Sequence, residues 1–389
     1  MATAIIPGVQ YSGIWTMQQV NAAVAAGTWP SQPLPHLYAW GYNDYGQLGT
    51  GNLTRYSSPK QIGSLTTWLK ISGGVYNSYS IKSDGTLWSW GYNVDGELGL
   101  GNTTNYSSPK QVGALTNWST VNANFYGQHA LAVKTDGSLW AWGKNNYGQL
   151  GLGTSGAGTY KSSPTQVGAL TNWLLATATG YFSLAIKTNG TLWTWGQNNS
   201  GQLGFGNTTY YSSPKQIGAL TNWAVVTGSA NGTFAVKTDG TIWSWGRNNI
   251  GQLGLNNTTY YSSPKQIGAL NTWSTITSGS GFVLAKKTDG TLWTWGTNGQ
   301  GQLGLGNTTT YSSPKQVGAL TNWSSFGASS STGLAIKTDG TLWAWGYGAQ
   351  GVIGQNNITN YSSPKQVGSL TSWSSVVGGY AYALAIAST

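Results

Sequence analysis

The sequence predicts an all-β fold, a seven-bladed β-propeller with four-stranded blades, closed by a blade shared between the N- and C-terminal segments and preceded by a short arm with one helix. Three observations predict it. The pair Trp-Gly recurs at Trp40, Trp90, Trp142, Trp195, Trp245, Trp295 and Trp345, with spacings of 50 to 53 residues. A period of that length marks a repeat architecture in which each unit buries its apolar face against the next. Each unit carries four short strand patterns, as a propeller blade does. The chain also enters the repeat late and leaves it early, and the missing halves are complementary.

The unit around Trp295 shows the strands in order. An apolar stretch from Trp273 to Thr277 reads as the first strand and Val283 to Lys287 as the second. Asp289-Gly290 follows, a pair suited to the left-handed positions of a tight hairpin. Thr291 to Trp295 reads as the third strand, with Leu292 and Thr294 on one face and Trp293 and Trp295 on the other. After a Gly-rich connection, Pro314 is expected to open the fourth strand, because Pro cannot donate to a ladder and belongs at a strand start or outer edge.

The N-terminal part, residues 1–36, is expected to be an anchoring arm, and residues 37–389 the propeller. Residues 374–387 should supply the inner strands of the shared blade and residues 37–62 the outer ones, which removes two exposed sheet edges. Twenty of the 22 Trp belong to the repeat and read as packing between blades; Trp15 and Trp29 lie in the arm.

Composition narrows the function. The absence of Cys excludes disulfides, a thiol nucleophile and thiolate metal sites. No apolar run approaches the roughly 18 residues of a membrane helix, so no membrane insertion is expected. The first residues lack the basic start and long apolar core of a standard secretion signal. Of 18 basic residues, six are the Lys of a recurring S-S-P-K phrase and six are Lys just before the hairpin turns. Repetition spreads these charges around a ring, whereas nucleic-acid binding wants a clustered, Arg-rich track, so nucleic acid is not an expected partner despite the net charge of +10.

The phrase A-L-A-I-K-T-D-G-T-L-W-x-W-G-x-N-x-x-G-Q-L-G-L-G-N resembles the repeat of the regulator of chromosome condensation family, over residues 37–389. The resemblance implies a seven-bladed propeller but no single function, since the family includes a nuclear exchange factor, a secreted inhibitor of β-lactamases and uncharacterised bacterial and phage proteins. The family's usual His before the second strand is kept only at His129; Asn77, Phe182, Gly232, Phe282, Thr332 and Tyr382 stand at the matching positions. Exchange-factor activity is therefore not carried over.

Comparing the repeats with one another separates two rims. The links between the second and third strands, and between blades, are nearly constant. The links between the first and second strands, and between the third and fourth, diverge and should share the opposite rim. Loops on a rigid scaffold carry binding, and these are rich in Tyr, Phe, Asn, Ser and Gly. Tyr76, Phe125, Tyr126, Tyr181, Phe182, Phe282, Tyr380 and Tyr382 are the expected ligand-binding anchors.

In the arm, Thr16 and Gln19 suit a capping box, and Met17, Val20 and Val24 mark one apolar stripe. A helix of about 11 residues is marginal alone, so Trp15, Met17, Val20, Val24 and Trp29 are expected to dock as an assembly anchor. The arm also resembles a short G-x-W-T…A-x-x-x-G-T-W-P segment associated with tailed-phage virion proteins.

Catalysis finds little support. Five of the eight acids sit in hairpin turns, which leaves Asp44, Asp95 and Glu97 as the only basis for a glycan-processing enzyme. His36 and His129 lack a matched acid and nucleophile. No metal cluster and no cofactor motif is present. The expectation is a non-enzymatic binding or structural protein. Its foremost form is a virion component (decoration, fibre or adhesin subunit) whose partners are other virion proteins and a host-surface glycan or protein. The alternative is a cellular or secreted protein-binding propeller.

Overall fold

The computed structural model describes residues 34–124 and 126–388, and 28 strands there form seven antiparallel sheets of four strands each. The expected arm residues Trp15, Met17, Val20, Val24 and Trp29, and the rim residue Phe125, lie outside the described residues. A typical blade runs outward from Trp68–Gly73 through Asn77–Lys82 and Leu87–Gly91 to Tyr106–Gln111. In the closing blade the inner strands are Trp373–Gly378 and Tyr382–Ser388, and the outer ones Pro35–Gly41 and Tyr56–Gln61. The seam between Pro35–Gly41 and Tyr382–Ser388 pairs without a break, from Pro35 opposite Ser388 to Gly41 opposite Tyr382.

Position in the blade sets the sequence of each strand. The second strand is enclosed on both faces: all six residues of Phe182–Lys187 are buried. The fourth strand is the outer edge and is half exposed. It begins three residues earlier than the sequence suggested, at Tyr311 rather than Pro314. The register explains how Pro is tolerated inside it. In the closing blade Lys60 pairs with Ala39 and Tyr56 with Gly41, so residues 57–59 bulge against Trp40 and Pro59 owes the ladder no N–H.

The cores lie between blades, not within them. One joins Leu37, Ala39, Tyr382 and Leu384 of the closing blade to Trp68 and Trp90 of the next. The same hydrogen bond crosses each of these interfaces. Trp90 Nε1 donates to the Gln47 carbonyl at 2.9 Å, Trp142 to Glu97 at 2.7 Å and Trp245 to Gln202 at 2.9 Å. The glycines of G-Q-L-G make room for it. Gly49 has φ +73°, and a Cβ there would lie 2.7 Å from Trp90 Nε1. The Asp of each hairpin turn is structural too: Asp84 Oδ1 accepts from the Thr86 N–H and hydroxyl, and the Thr86 hydroxyl in turn accepts from Trp88 Nε1.

Candidate binding rim

Backbone hydrogen bonds assign the links to their rims. The residue after each Trp-Gly donates to the end of the first link of its own blade: Tyr92 N to Tyr76 O at 2.8 Å, Gln197 N to Tyr181 O at 2.9 Å and Tyr347 N to Ser331 O at 2.9 Å. Both divergent links therefore share a rim. On the opposite rim Ser83 N donates to Thr67 O and Trp118 N to Gly85 O, which ties the constant hairpin turns to the constant links between blades.

The expected anchors divide into two groups. Tyr76 and Tyr181 are half-buried on the rim, and Tyr380 is exposed. Phe182, Phe282 and Tyr382 are fully buried, which corrects the expectation that they face a ligand. Each is the first residue of a second strand and pairs with the Gly of a Trp-Gly, at Gly196, Gly296 and Gly41. That position points into the inter-blade core. His129 occupies it in its own blade, fully buried, with Nε2 2.8 Å from Ser183 Oγ, and burial lowers its pKa to about 3. Alignment with His129 was the available sign that these three aromatics are core residues. Tyr382 even has a core partner for its hydroxyl, which donates to the Asn77 carbonyl at 2.5 Å.

Tyr76 is the centre of a tyrosine cluster. Its ring centroid lies 4.9 Å from that of Tyr45, 5.7 Å from Tyr42, 6.3 Å from Tyr92 and 5.6 Å from Tyr380. The residues come from both divergent links of the closing blade and of the blade beginning at Trp68. Sequence reasoning found Tyr76 and Tyr380 but missed Tyr42, Tyr45 and Tyr92. These lie after Trp-Gly, in links that the sequence places on the same rim, and their ring contacts with Tyr76 come from the packing of neighbouring blades. Arg55 borders the cluster: its guanidinium carbon stands 4.6 Å from the Tyr42 ring centroid and Nη2 lies 2.5 Å from Asp44 Oδ2. Burial, with the nearby Asp44 carboxylate, pushes the Tyr42 phenol up to about 12. A smaller group joins Tyr147 to Tyr181 and Tyr210, at 5.3 and 5.8 Å between centroids.

At the centre of the rim, Tyr126 reaches over the channel to hydrogen-bond Ser280, three blades away. Asn124 Nδ2 donates to Gly228 O at 3.1 Å, two blades away. These bonds narrow the mouth of an axial cavity of about 140 Å³, lined by Ser72, Asn122, Thr177, Thr227 and Thr277 from the innermost strands.

The three remaining acids are bound into the loops. Asp44 pairs with Arg55, and Asp95 Oδ2 lies 3.4 Å from Lys144 Nζ. Glu97 stands where five other blades have Gln; it is buried, Oε2 accepts from the Asp95 N–H at 2.8 Å, and desolvation raises its pKa to about 7. Among the described residues no group of three or more His, Cys, Asp or Glu could hold a metal ion.

Fold and rim together define a closed seven-bladed propeller that carries its diversity on one face. The profile of the regulator of chromosome condensation (RCC1) repeat matches residues 36–81, 84–132, 136–186, 189–236, 239–285, 289–336 and 339–386, and the chain belongs to that family. A second profile of the same repeat matches residues 122–149 and 273–302. Each of the seven segments runs from the third strand of one blade to the second strand of the next.

Among curated relatives, the Arabidopsis thaliana ultraviolet-B receptor UVR8 is 28% identical over 176 residues, covering 44% of this chain and 39% of the receptor. The human probable E3 ubiquitin-protein ligase HERC3 is 44% identical over 78 residues, 20% of this chain and 7% of the ligase. The matches thus span well under half of either relative. Human WBSCR16 superposes with a TM-score of 0.82 at 18% identity, covering 91% of this chain and 99% of the other. Saccharomyces cerevisiae Prp20p gives 0.80 at 19%, covering 92% of both. At these identities the superpositions show the fold.

Proposed function

We propose that this chain is a non-enzymatic, protein-binding propeller that recognises its partner through the diversified rim, with the tyrosines around Tyr76 as the energetic centre. The observation that carries this reading is the cluster itself: Tyr42, Tyr45, Tyr76, Tyr92 and Tyr380 form one aromatic surface edged by Arg55. Tyr and Arg dominate interface hot spots, because a rigid ring with a polar tip gains contact area at little entropic cost. The family favours a protein partner in general terms, and the work on yeast Prp20p concerns its binding to Gsp1p and histones.

The virion reading, with virion proteins or a host surface as partners, rests on the arm's short likeness together with the near-identical, Cys-free repeats, and the arm lies outside the described residues. The relatives are better matched by the cellular protein-binding alternative. The test is affinity capture from the native source, followed by titration of the purified partner against wild type and against Tyr45→Ala/Tyr76→Ala/Tyr380→Ala. The expected loss is about 100-fold or more. Unchanged affinity in a folded triple variant would refute the rim as the binding surface.

A further inference from the structure

A second repeated feature lies away from the tyrosine cluster. Between neighbouring blades, on the outer side of the ring, lies a groove of about 380 Å³ lined by Leu305, Leu320, Trp323, Lys337, Trp343 and Pro364. Its counterpart one blade earlier, about 390 Å³, is lined by the equivalent Leu255, Leu270, Trp273, Lys287, Trp293 and Pro314. Both volumes are in the range of small-ligand sites.

At each groove a Lys lies across two Trp. Lys287 Nζ is 3.7 Å from the Trp293 ring centroid and 5.1 Å from that of Trp273. The same arrangement recurs at Lys82, Lys134, Lys187, Lys237 and Lys337, with distances of 3.5 to 3.9 Å to the nearer ring. Lys187 and Lys287 are only 5% and 8% exposed, and none of these six ammonium groups has a hydrogen bond or ion pair among the described residues. The turn Asp two residues on bonds its Thr and also attracts the Lys electrostatically in five of these blades, whereas in the blade of Lys187 the turn residue is the uncharged Asn189. The Lys stem lies buried along the two Trp while its ammonium, which is not among the buried unpaired atoms, offers its positive charge at the groove. The Trp of the third strand keeps a half-exposed face, and the Leu at the groove's edge is about half exposed in six blades, at Leu65, Leu115, Leu170, Leu220, Leu270 and Leu320. The seventh position, in the closing blade, has Ala387 and Tyr38 in place of the Lys and Trp.

We propose that these six grooves bind an acidic polysaccharide, one carboxylate-bearing sugar ring per groove. An apolar wall of Trp and Leu suits the C–H face of a pyranose, the ammonium supplies the charge partner for a carboxylate, and identical sites repeated around a ring suit a polymer with a repeating unit. Binding to several grooves at once converts weak single sites into avidity. This surface is separate from the tyrosine cluster around Tyr76, and its occupation is independent of the protein partner proposed above.

The test uses the full chain and polygalacturonate, with intrinsic Trp fluorescence and affinity electrophoresis as readouts at 0.15 M salt. Polygalacturonate is expected to bind and to perturb Trp fluorescence. The fully methyl-esterified polymer, which keeps the ring and loses the charge, should not. Lys187→Gln/Lys237→Gln/Lys287→Gln should weaken binding about tenfold or more while near-ultraviolet circular dichroism stays native. Absence of polygalacturonate binding would overturn the proposal. So would equal retention of dextran sulfate or DNA of matched charge, which would reduce the effect to net charge. Unchanged affinity in the folded triple variant would do the same. Should the triple variant not fold, the comparison of charged and esterified polymers on the wild-type chain decides.

Discussion

Trp40 Nε1 donates a 2.8 Å hydrogen bond to the carbonyl of Val352, 312 residues away, and so repeats at the ring's closure the bond that joins every other pair of blades. Replacing Trp40 by Phe keeps most of the apolar area but orphans a buried carbonyl, with an expected loss of about 1–3 kcal/mol. Trp245→Phe removes the equivalent bond to Gln202 inside the ring. Stability should fall similarly in both, whereas unfolding should accelerate more for Trp40→Phe, because among the described residues the closing blade alone joins strands from opposite ends of the repeat array. Urea chevrons on both variants check this.

Gly99→Ala tests the close approach between blades. Gly99 has φ +71°, and an added Cβ would lie 2.9 Å from Trp142 Nε1. Backbone strain and a clash in a packed interface combine, so a loss of about 2–4 kcal/mol is expected by equilibrium unfolding. Gly113→Ala is the control: φ there is +61° with no atom within 4 Å, so only the backbone cost of about 1 kcal/mol should remain.

Glu97→Gln should make stability less dependent on pH. The Glu97 carboxyl has its pKa raised from 4.5 to about 7 by burial. The folded state therefore holds a proton that the unfolded state releases, and stability falls as pH rises from about 4.5 to about 7. Gln, the residue of five other blades, carries no such penalty. The variant should match wild type at pH 4 and exceed it by about 2–3 kcal/mol at pH 8. Parallel denaturant titrations at the two pH values measure the difference.

Tyr76→Ala and Tyr382→Ala should separate binding from packing. Tyr76 is half-buried and loses aromatic contacts worth about 1 kcal/mol, but on the proposed function it loses much of the partner affinity. Tyr382 is fully buried with its hydroxyl bonded to Asn77, so its truncation should cost about 3–5 kcal/mol. Thermal melts and partner titration on both variants distinguish the roles.

Much of the fold was legible because a propeller writes its geometry into a period. Seven Trp-Gly pairs, four strand patterns per unit and complementary ends sufficed for seven blades, a shared closing sheet and the assignment of links to rims, since antiparallel strands alternate direction. Pro314 was misplaced because a bulge lets Pro sit inside an edge strand, and a bulge leaves little local sequence mark.

The sequence by itself determined this protein's architecture and which of its segments vary, because strand periodicity and turn chemistry are local. Only the tertiary structure decided which varied residues lie on the surface of the rim and which are buried. Phe182, Phe282 and Tyr382 turned inward to fill the spaces between blades, while Tyr42, Tyr45 and Tyr92 joined Tyr76 on the surface. The reason is that the cores and the rim cluster are both built from residues of neighbouring blades, about 50 residues apart or at opposite ends of the chain. Their contacts depend on how one sheet twists against the next, which no single repeat records.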